Sequence, residues 1–195
     1  MEKFYLEIPS IERKDEAFSY IDEFKEYNSE IDGTGGLARF RYYNDYEGWL
    51  LKLEEDYKRV PTEEKTPSRT YFLIRENDNK IVGMINIRLV LNEKLKKLGG
   101  NIGYSIRPTE RRKGYNKINL YLGLKVCQEY GLKEVMLDAD TNNVGSWKTI
   151  EALGGKFLRE YYEDVVYNAN IKDYIIDVDK SIEDNKDFYE LKKLK

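Results

Sequence analysis

The stretch RPTERRKGYNKINL, residues 107–120, carries the features that decide the fold of this chain. A strand-like segment ends at its first residue, Pro108 turns the chain, and a helix-like segment begins near Gly114. A helix N-terminus exposes unpaired backbone N–H groups at the positive end of the helix dipole, and a glycine there lets a ligand approach the backbone. Three cations at residues 111–113 add charge. The pattern predicts a pyrophosphate site, because a pyrophosphate accepts many hydrogen bonds at once; the alternative is an ordinary solvated turn.

The composition limits the chemistry that the chain can perform. Its 195 residues include no histidine and a single cysteine, Cys127. Carboxylates, tyrosines, lysines, hydroxyls or backbone dipoles must therefore act in any reaction, and no metal site is expected. No apolar run approaches the roughly 20 residues of a membrane span, and the segment MEKFYLEIPS lacks the pattern of a secretory signal. We expect a cytoplasmic protein with no membrane partner.

The charge of the chain is unevenly distributed. The net charge is −3, yet residues 1–64 hold 17 acidic and 9 basic side chains, whereas residues 65–110 hold 4 and 9. An acidic first third can attract a cationic substrate; the alternative is a set of solvated helix faces. Basic residues form no stripe beyond residues 111–113, which argues against nucleic acid as a partner.

The remaining segments predict a mixed α/β fold. Antiparallel strands come first, and a strand–helix–strand unit that needs a parallel pairing follows. The hairpin over residues 70–92 turns at Asp78-Asn79, and Ile81, Ile85 and Ile87 are expected on one face of its second strand. Further strands are predicted over residues 4–10, 101–108, 133–140, 156–164 and 171–178, and helices over 10–27 with Ser10 as its cap, 45–60, 111–131, 142–155 and 181–195. Residues 1–195 are predicted to form one domain.

Two blocks of the sequence resemble the GNAT-type N-acetyltransferases, and in particular a bacterial branch of these enzymes. The segment RRKGYN, residues 111–116, resembles their Arg/Gln-x-x-Gly-x-Gly/Ala signature, in which Asn116 departs from the usual small residue. The segment NVGSWKTIEALGG, residues 143–155, resembles their Asn-x-x-Ala/Ser helix and its Leu-Gly ending. The resemblance covers roughly residues 70–177, which leaves residues 181–195 as a C-terminal helical extension.

The resemblance implies a fold, a cosubstrate and a binding site. The fold is a GNAT-like mixed, mostly antiparallel central sheet flanked by helices, with a splayed parallel strand pair that forms the coenzyme A cleft. Acetyl-CoA is the implied cosubstrate, and Gly103 is the place where we expect a bulge in the splayed strand. The implied coenzyme-binding residues are Ile106, Arg111, Arg112, Lys113, Gly114, Tyr115, Asn116, Lys117, Asn143 and Ser146.

Two departures from the family pattern affect the choice of catalytic residues. Ile150 stands where many members have a tyrosine general acid, and residues 101–107 lack the glutamate base that many members carry. We expect Tyr104 to serve as the acid or a proton relay and Asp140 to act as a base through water, with Asp138 sharing the side-chain parity of Asp140. For each of them a structural hydrogen-bonded role is the alternative.

The predicted reaction is transfer of an acetyl group to a primary amine by direct attack in a ternary complex. The acceptor is a small-molecule or peptide amine, and the acidic loop NSEIDGTGGL, residues 28–37, with Asn86 and Arg88 is expected to contact it. A homodimer is possible. The competing interpretation is a non-catalytic acyl-CoA-binding sensor or regulatory protein of the same fold.

Overall fold

The computed structural model describes residues 2–166 and 168–189. Its first half contains β1 (Phe4–Glu7), α1 (Lys14–Glu26), α2 (Leu37–Tyr42), α3 (Tyr46–Lys58), β2 (Ser68–Arg75), β3 (Lys80–Arg88) and α4 (Glu93–Lys97). Its second half contains β4 (Ile102–Ile106), α5 (Tyr115–Glu129), β5 (Glu134–Asp140), α6 (Val144–Ala152), β6 (Lys156–Glu163), β7 (Ala169–Asp177) and α7 (Val178–Tyr189). No helix in these two ranges is long and apolar enough to cross a membrane.

The described strands form two antiparallel sheets. One has the order β1-β2-β3-β4, and the other has the order β5-β7-β6. The hairpin that joins β2 to β3 turns at residues 76–79, as predicted. Helices flank both sheets, so the predicted mixed α/β fold with mostly antiparallel strands is confirmed.

The strands β4 and β5 meet at Asn101 and then diverge. The N–H of Asn101 donates to the carbonyl of Met136 at 2.7 Å, and its side-chain oxygen accepts the N–H of Met136 at 2.9 Å. Its side-chain amide donates to the carbonyl of Arg88 at 3.0 Å. This buried side chain takes the place of a backbone partner at the junction. Beyond it the two strands belong to different sheets, which opens the splay that the family resemblance implies.

Buried side chains pack on both faces of the first sheet. One face lies under α1 and α3, with Ile21, Phe24, Trp49, Phe72 and Met84 in contact. The other face packs on α5 and on the second sheet, with Ile85, Ile87, Leu120, Leu124, Leu137 and Tyr174 in contact. Burial of each such side chain contributes roughly 1.5–3 kcal/mol. The two clusters fix the position of α5 against the end of β4.

The sequence pattern misassigned one residue of β3. The register between β2 and β3 shifts between Leu73 and Ile74, which inserts an extra residue into β3. Ile81 consequently packs with Met84 under α1, whereas Ile85 packs on the α5 side. The prediction that Ile81 shares a face with Ile85 is wrong, because a one-residue shift reverses the side-chain alternation.

The predicted bulge at Gly103 is also wrong. Residues 102–106 pair with residues 83–87 without a register shift. Gly103 instead allows a close approach of two backbones, because a Cβ atom on Gly33 would lie 2.3 Å from the carbonyl oxygen of Gly103. The loop that carries Gly33 therefore lies directly on β4.

The boundaries of several elements differ from the predictions. The helices α2 and α4 were not predicted, because glycines and charges in these short segments suggested loops. Ser10 precedes a short helical turn, Ile11–Arg13, but makes no side-chain capping hydrogen bond. The terminal helix begins at Val178, earlier than predicted, and residues 190–195 of the predicted helix lie outside the described residues.

Candidate functional site

A cleft of about 490 Å³ lies where β4 and β5 diverge. Its walls come from the loop after α1, from β4 and β5, and from the start of α6: Glu30, Ile31, Asp32, Gly33, Arg88, Gly99, Ile102, Gly103, Tyr104, Asp138, Ala139, Asp140, Asn143, Ser146, Val166 and Ile171. The splay thus brings five of the predicted site residues to one cavity, namely Tyr104, Asp140, Asn143, Ser146 and Arg88.

The outer edge of β4 presents backbone groups to this cleft. In an antiparallel pair only every second residue bonds to its partner strand. The N–H of Arg107 donates to the carbonyl of Val82 at 2.9 Å, so residues 103 and 105 are those that bond to β3. The peptide groups of Ile102, Tyr104 and Ile106 therefore face the gap toward β5.

The helix α5 begins where the sequence predicts, at Gly114. This glycine is the N-terminal cap and has a left-handed φ of +84°. A Cβ atom built on it would meet no other atom within 4 Å, so the space in front of the backbone is open. The first N–H groups of a helix have no partner inside the helix. The loop therefore has the shape and the donors that an anion requires.

The Arg111 side chain does not point into the mouth of this loop. Its Nε donates to the carbonyl of Ile106 at 3.2 Å, and an Nη donates to the hydroxyl of Ser29 at 2.8 Å. The guanidinium also lies 5.3 Å from the centre of the Phe24 ring. The predicted direct contact of this side chain with the coenzyme is therefore not what the structure shows.

The Lys113 side chain also has a protein partner. Its ammonium group forms a 2.8 Å ion pair with Glu110, which lies almost fully buried under the loop. Arg75 and Lys80 bind the same carboxylate, each at 2.8 Å. Burial alone would raise the pKa of Glu110, but the hydrogen bonds from these three cations lower it to about 2. The sequence did not reveal this cluster, because its members come from separate elements.

The other predicted residues of the loop divide into buried and exposed groups. The Tyr115 ring is buried against Phe4, and its hydroxyl donates to Glu2 at 2.6 Å. Its backbone is therefore the part of Tyr115 that remains for the implied coenzyme contact. Arg112 and Lys117 are exposed, and Arg112 has a left-handed φ of +62°.

A network of polar side chains joins β4, α5 and α6 beside the cleft. The hydroxyls of Tyr104 and Ser146 lie 2.9 Å apart, and the Asn116 amide donates to Thr149 at 3.3 Å. Burial raises the pKa of Tyr104 above its ordinary value, although hydrogen bonds from Ser146 and Asn116 act in the opposite direction. The Asn116 side-chain oxygen is buried and has no partner among the described residues. Ile150 is a fully buried core residue, so it cannot replace the family's tyrosine.

Three aspartates, Asp32, Asp138 and Asp140, line the same cleft. Asp140 accepts the N–H of Asn142 at 2.7 Å, and Asp138 accepts the N–H of Gly99 through one of its two oxygens. Burial raises the pKa of Asp138. Asp32, on the loop after α1, is accessible to solvent through the cleft, but burial by the surrounding walls raises its pKa as well. The sequence predicted the shared parity of Asp138 and Asp140 and an acceptor contact for the loop of residues 28–37, which carries Asp32, but nothing in it placed Asp32 beside the other two.

The two predicted substrate contacts differ in their positions. Arg88 lines the cleft and donates to the carbonyls of Gly99 and Gly100 at 2.7 and 3.0 Å. Asn86 is buried and donates to the hydroxyl of Thr70 at 2.9 Å. A direct contact between Asn86 and a substrate is inconsistent with this burial, so that prediction is corrected.

Solved structures with similar folds are acetyltransferases. A ribosomal-protein-S5-alanine acetyltransferase from Vibrio fischeri matches with a TM-score of 0.71 at 16% identity, covering 92% of this chain and 95% of that one. RimJ from Mycobacterium smegmatis, solved with a CoA disulfide, matches with a TM-score of 0.71 at 12% identity, covering 93% and 87%. A chimera of the spermidine N-acetyltransferase SpeG from Vibrio cholerae with hSSAT matches with a TM-score of 0.64 at 12% identity, covering 92% and 98%. At these identities the likeness establishes the fold.

Sequence comparison gives the family. No curated protein matches the chain. The model of the acetyltransferase (GNAT) family matches residues 20–154, which include the loop at Gly114, both diverging strands and the start of α6. The chain belongs to the GNAT family of acetyltransferases and is an N-acetyltransferase.

Proposed function

We propose that this protein transfers the acetyl group of acetyl-CoA to a cationic primary amine, by direct attack of the amine in a ternary complex. The observation that carries the proposal is the position of the cleft. An open, glycine-led helix N-terminus follows β4, the first of the two diverging strands, and a group of carboxylates lines the cleft between β4 and β5. The first suits a pyrophosphate, and the second suits an ammonium group.

The residues around the loop fit coenzyme A. The open space in front of Gly114 allows a phosphate to approach the backbone N–H groups of the first turn of α5. The unpaired Asn116 oxygen is a buried acceptor that needs a donor, and an amide or thiol group can supply one. The edge of β4 offers peptide groups, including those of Tyr104 and Ile106, for hydrogen bonds to an extended chain. Acetyl-CoA supplies an activated thioester when it is bound.

The backbone and hydroxyl groups of the cleft suit the chemistry of acetyl transfer. The N–H groups on the gap side of β4 can stabilise a developing oxyanion. A tyrosine is protonated at neutral pH with its ordinary pKa of about 10, and burial raises the pKa of Tyr104 further. Its hydroxyl can therefore donate toward a leaving thiolate directly or through Ser146. A thiolate with a pKa of about 8.5 needs roughly 2 kcal/mol of assistance at pH 7. The absence of the family's tyrosine at Ile150 is therefore compatible with catalysis.

Removal of a proton from the amine is the more demanding step. An amine with a pKa of about 10.4 requires about 4–5 kcal/mol to lose its proton at pH 7. We favour Asp138 over Asp140 as the base, because burial raises the pKa of Asp138 and one of its oxygens accepts no hydrogen bond from the described residues. Asp140 uses an oxygen to hold the N–H of Asn142 in the following turn.

The acceptor class follows from the charge of the cleft. Glu30, Asp32, Asp138 and Asp140 line it, whereas Arg88 is the cation among its lining residues and is held by two carbonyls. An acidic wall of this kind attracts cations and weakens with salt. Spermidine and protein amines, the acceptors named for structurally similar enzymes, both carry the required charge.

The proposal is tested by release of the coenzyme A thiol in the presence of matched amines. Spermidine and an alanine-terminated peptide are compared with a neutral hydroxyl analogue, and mass spectrometry identifies the acetylated product. We expect turnover with a cationic amine, a KM that rises with ionic strength, and a higher KM in Asp32→Asn. The exposed Glu55→Gln variant, on the solvent side of α3, controls for the loss of one negative charge.

The competing function is a non-catalytic acyl-CoA sensor. Tight binding of acetyl-CoA without acetylation of any amine tested would support the sensor and contradict the enzyme. A lack of coenzyme binding would contradict both.

A further inference from the structure

One side chain joins the candidate coenzyme loop to the wall of the acceptor cleft. Arg111 belongs by its backbone to the loop before Gly114, yet its guanidinium donates to Ser29 at 2.8 Å and to the carbonyl of Ile106 at 3.2 Å. The aromatic ring of Phe24, at the end of α1, lies 5.3 Å below it. The Arg111 guanidinium therefore contacts the end of β4, the loop after α1 and the end of α1 itself.

Ser29 begins the loop that forms the acceptor side of the cleft. In this loop the carbonyl of Asp32 accepts the hydroxyl of Ser105, on β4, at 2.6 Å. The backbone of Gly33 lies directly on that of Gly103. The loop thus follows β4 closely at residues 32–33, and its start at Ser29 is held by Arg111. A change in the position of Arg111 therefore changes the hydrogen bond that holds the start of the loop of residues 28–36.

We infer that Arg111 is a positioning residue that couples occupation of the coenzyme loop to the order of the acceptor loop, residues 28–36. A pyrophosphate that fixes the backbone of residues 111–116 also fixes the base of the Arg111 side chain. The guanidinium then holds Ser29, and with it the loop that carries Glu30 and Asp32 into the cleft. Coupling between two sites is reciprocal, so an ordered acceptor loop strengthens coenzyme binding by the same factor. The inference rests on the proposed use of coenzyme A.

Hydrogen exchange with and without coenzyme A tests the coupling without any knowledge of the acceptor. In the unmodified protein we expect coenzyme A to slow exchange both in residues 111–117 and in residues 28–36. In Arg111→Ala and in Ser29→Ala it should still protect residues 111–117 but leave residues 28–36 unchanged. Ser29→Ala removes only the hydroxyl of a half-buried residue, so it tests the link even if Arg111→Ala folds poorly.

The matched control is Arg39→Ala, which removes the same charge from α2, outside the coenzyme loop. Arg39 is exposed, and its loss should leave the protection of residues 28–36 intact. Calorimetry on Arg111→Ala should show a loss of coenzyme affinity of about threefold or less, because the side chain is not itself a phosphate ligand.

The possible results separate the two proposals. An absence of protection at residues 111–117 in the unmodified protein would overturn the coenzyme site and the coupling with it. If coenzyme A protects residues 111–117 but not residues 28–36 in the unmodified protein, only the coupling is overturned. The coupling is also overturned if coenzyme A still protects residues 28–36 in both Ser29→Ala and Arg111→Ala. A fall in affinity of more than about tenfold in Arg111→Ala would identify a direct phosphate ligand instead.

Discussion

Replacement of Gly114 by alanine separates backbone strain from loss of the coenzyme site. Gly114 has a φ of +84°, and a Cβ atom at this position would meet no protein atom within 4 Å. The substitution therefore adds no clash within the protein and costs only the left-handed conformation, about 1–2 kcal/mol. For a chain of this size that cost lowers the melting temperature by roughly 2–8 °C.

The effect on coenzyme affinity should be much larger. The added methyl group occupies the space through which a pyrophosphate reaches the N–H groups of α5. Loss of two charge-assisted hydrogen bonds at about 1.5–3 kcal/mol each corresponds to a fall in affinity of at least about a hundredfold.

The other end of the same helix provides the matched control. Gly131 has a φ of +77° and also has no atom within 4 Å of a built Cβ, so Gly131→Ala imposes the same strain far from the cleft. Thermal unfolding and calorimetry with acetyl-CoA are measured on both variants. Equal losses of stability, with a loss of affinity in Gly114→Ala alone, are expected. Coenzyme affinity within about threefold of the unmodified protein in Gly114→Ala would refute the site, and an equal loss of affinity in Gly131→Ala would refute its local character.

Four further predictions concern titratable groups. Asp138→Asn should lower turnover at pH 7 by about 10²–10⁴-fold, the range for a positioned base. Asp140→Asn should lower turnover less, and pH–rate profiles of both variants measure the two losses. A larger loss of turnover in Asp140→Asn would assign the base to Asp140. Burial raises the pKa of Asp138, so the charged form of this side chain destabilises the folded state. Thermal unfolding should therefore show that Asp138→Asn is more stable than the unmodified protein near pH 7. This gain in stability should shrink as the pH falls through the raised pKa, because the carboxyl group of the unmodified protein then becomes protonated. Tyr104→Phe should lower turnover by no more than about a hundredfold and leave coenzyme affinity nearly unchanged. Steady-state kinetics and calorimetry on one preparation measure both quantities. A weaker coenzyme affinity with full turnover would make Tyr104 a binding residue. Glu110→Gln should lower the free energy of unfolding by about 3 kcal/mol at neutral pH. Because the folded-state pKa of Glu110 is about 2, chemical denaturation should show this difference in stability fading as the pH falls from about 4.5 toward 2. A difference in stability that does not change with pH would point to packing.

Local patterns in the sequence predicted the backbone of the candidate site. A turn after a strand and a glycine before an apolar-periodic segment are local signals, and α5 begins at Gly114 as they require. The second block forms a helix, α6, as predicted, and Asn143, which the resemblance assigns to the coenzyme, is its N-terminal cap and accepts the N–H of Ser146 at 3.2 Å. The roles of Tyr104 and Asp140, and the single-domain extent of residues 1–195, stay predictions.

The tertiary structure alone decided where the side chains of these residues go. The sequence placed Arg111 and Lys113 beside an anion, but their nearest partners, Ser29 and Glu110, depend on how α1 and the loop pack. The sequence predicts Asn86 to be a polar residue that contacts the substrate. In the structure its amide donates instead to Thr70 on the neighbouring strand β2.

Long-range contacts also decided which carboxylates line the cleft and the role of Gly103. Asp32 and Asp138 lie far apart in the chain, and two contacts with β4, that of Gly33 with Gly103 and that of the Asp32 carbonyl with Ser105, bring Asp32 onto the splayed strands. Backbone conformation follows from neighbours along the chain, so a sequence can specify it locally. The destination of a polar side chain depends on which donor or acceptor the folded chain brings within about 3 Å, and that distance is set by the packing of the two sheets and their helices.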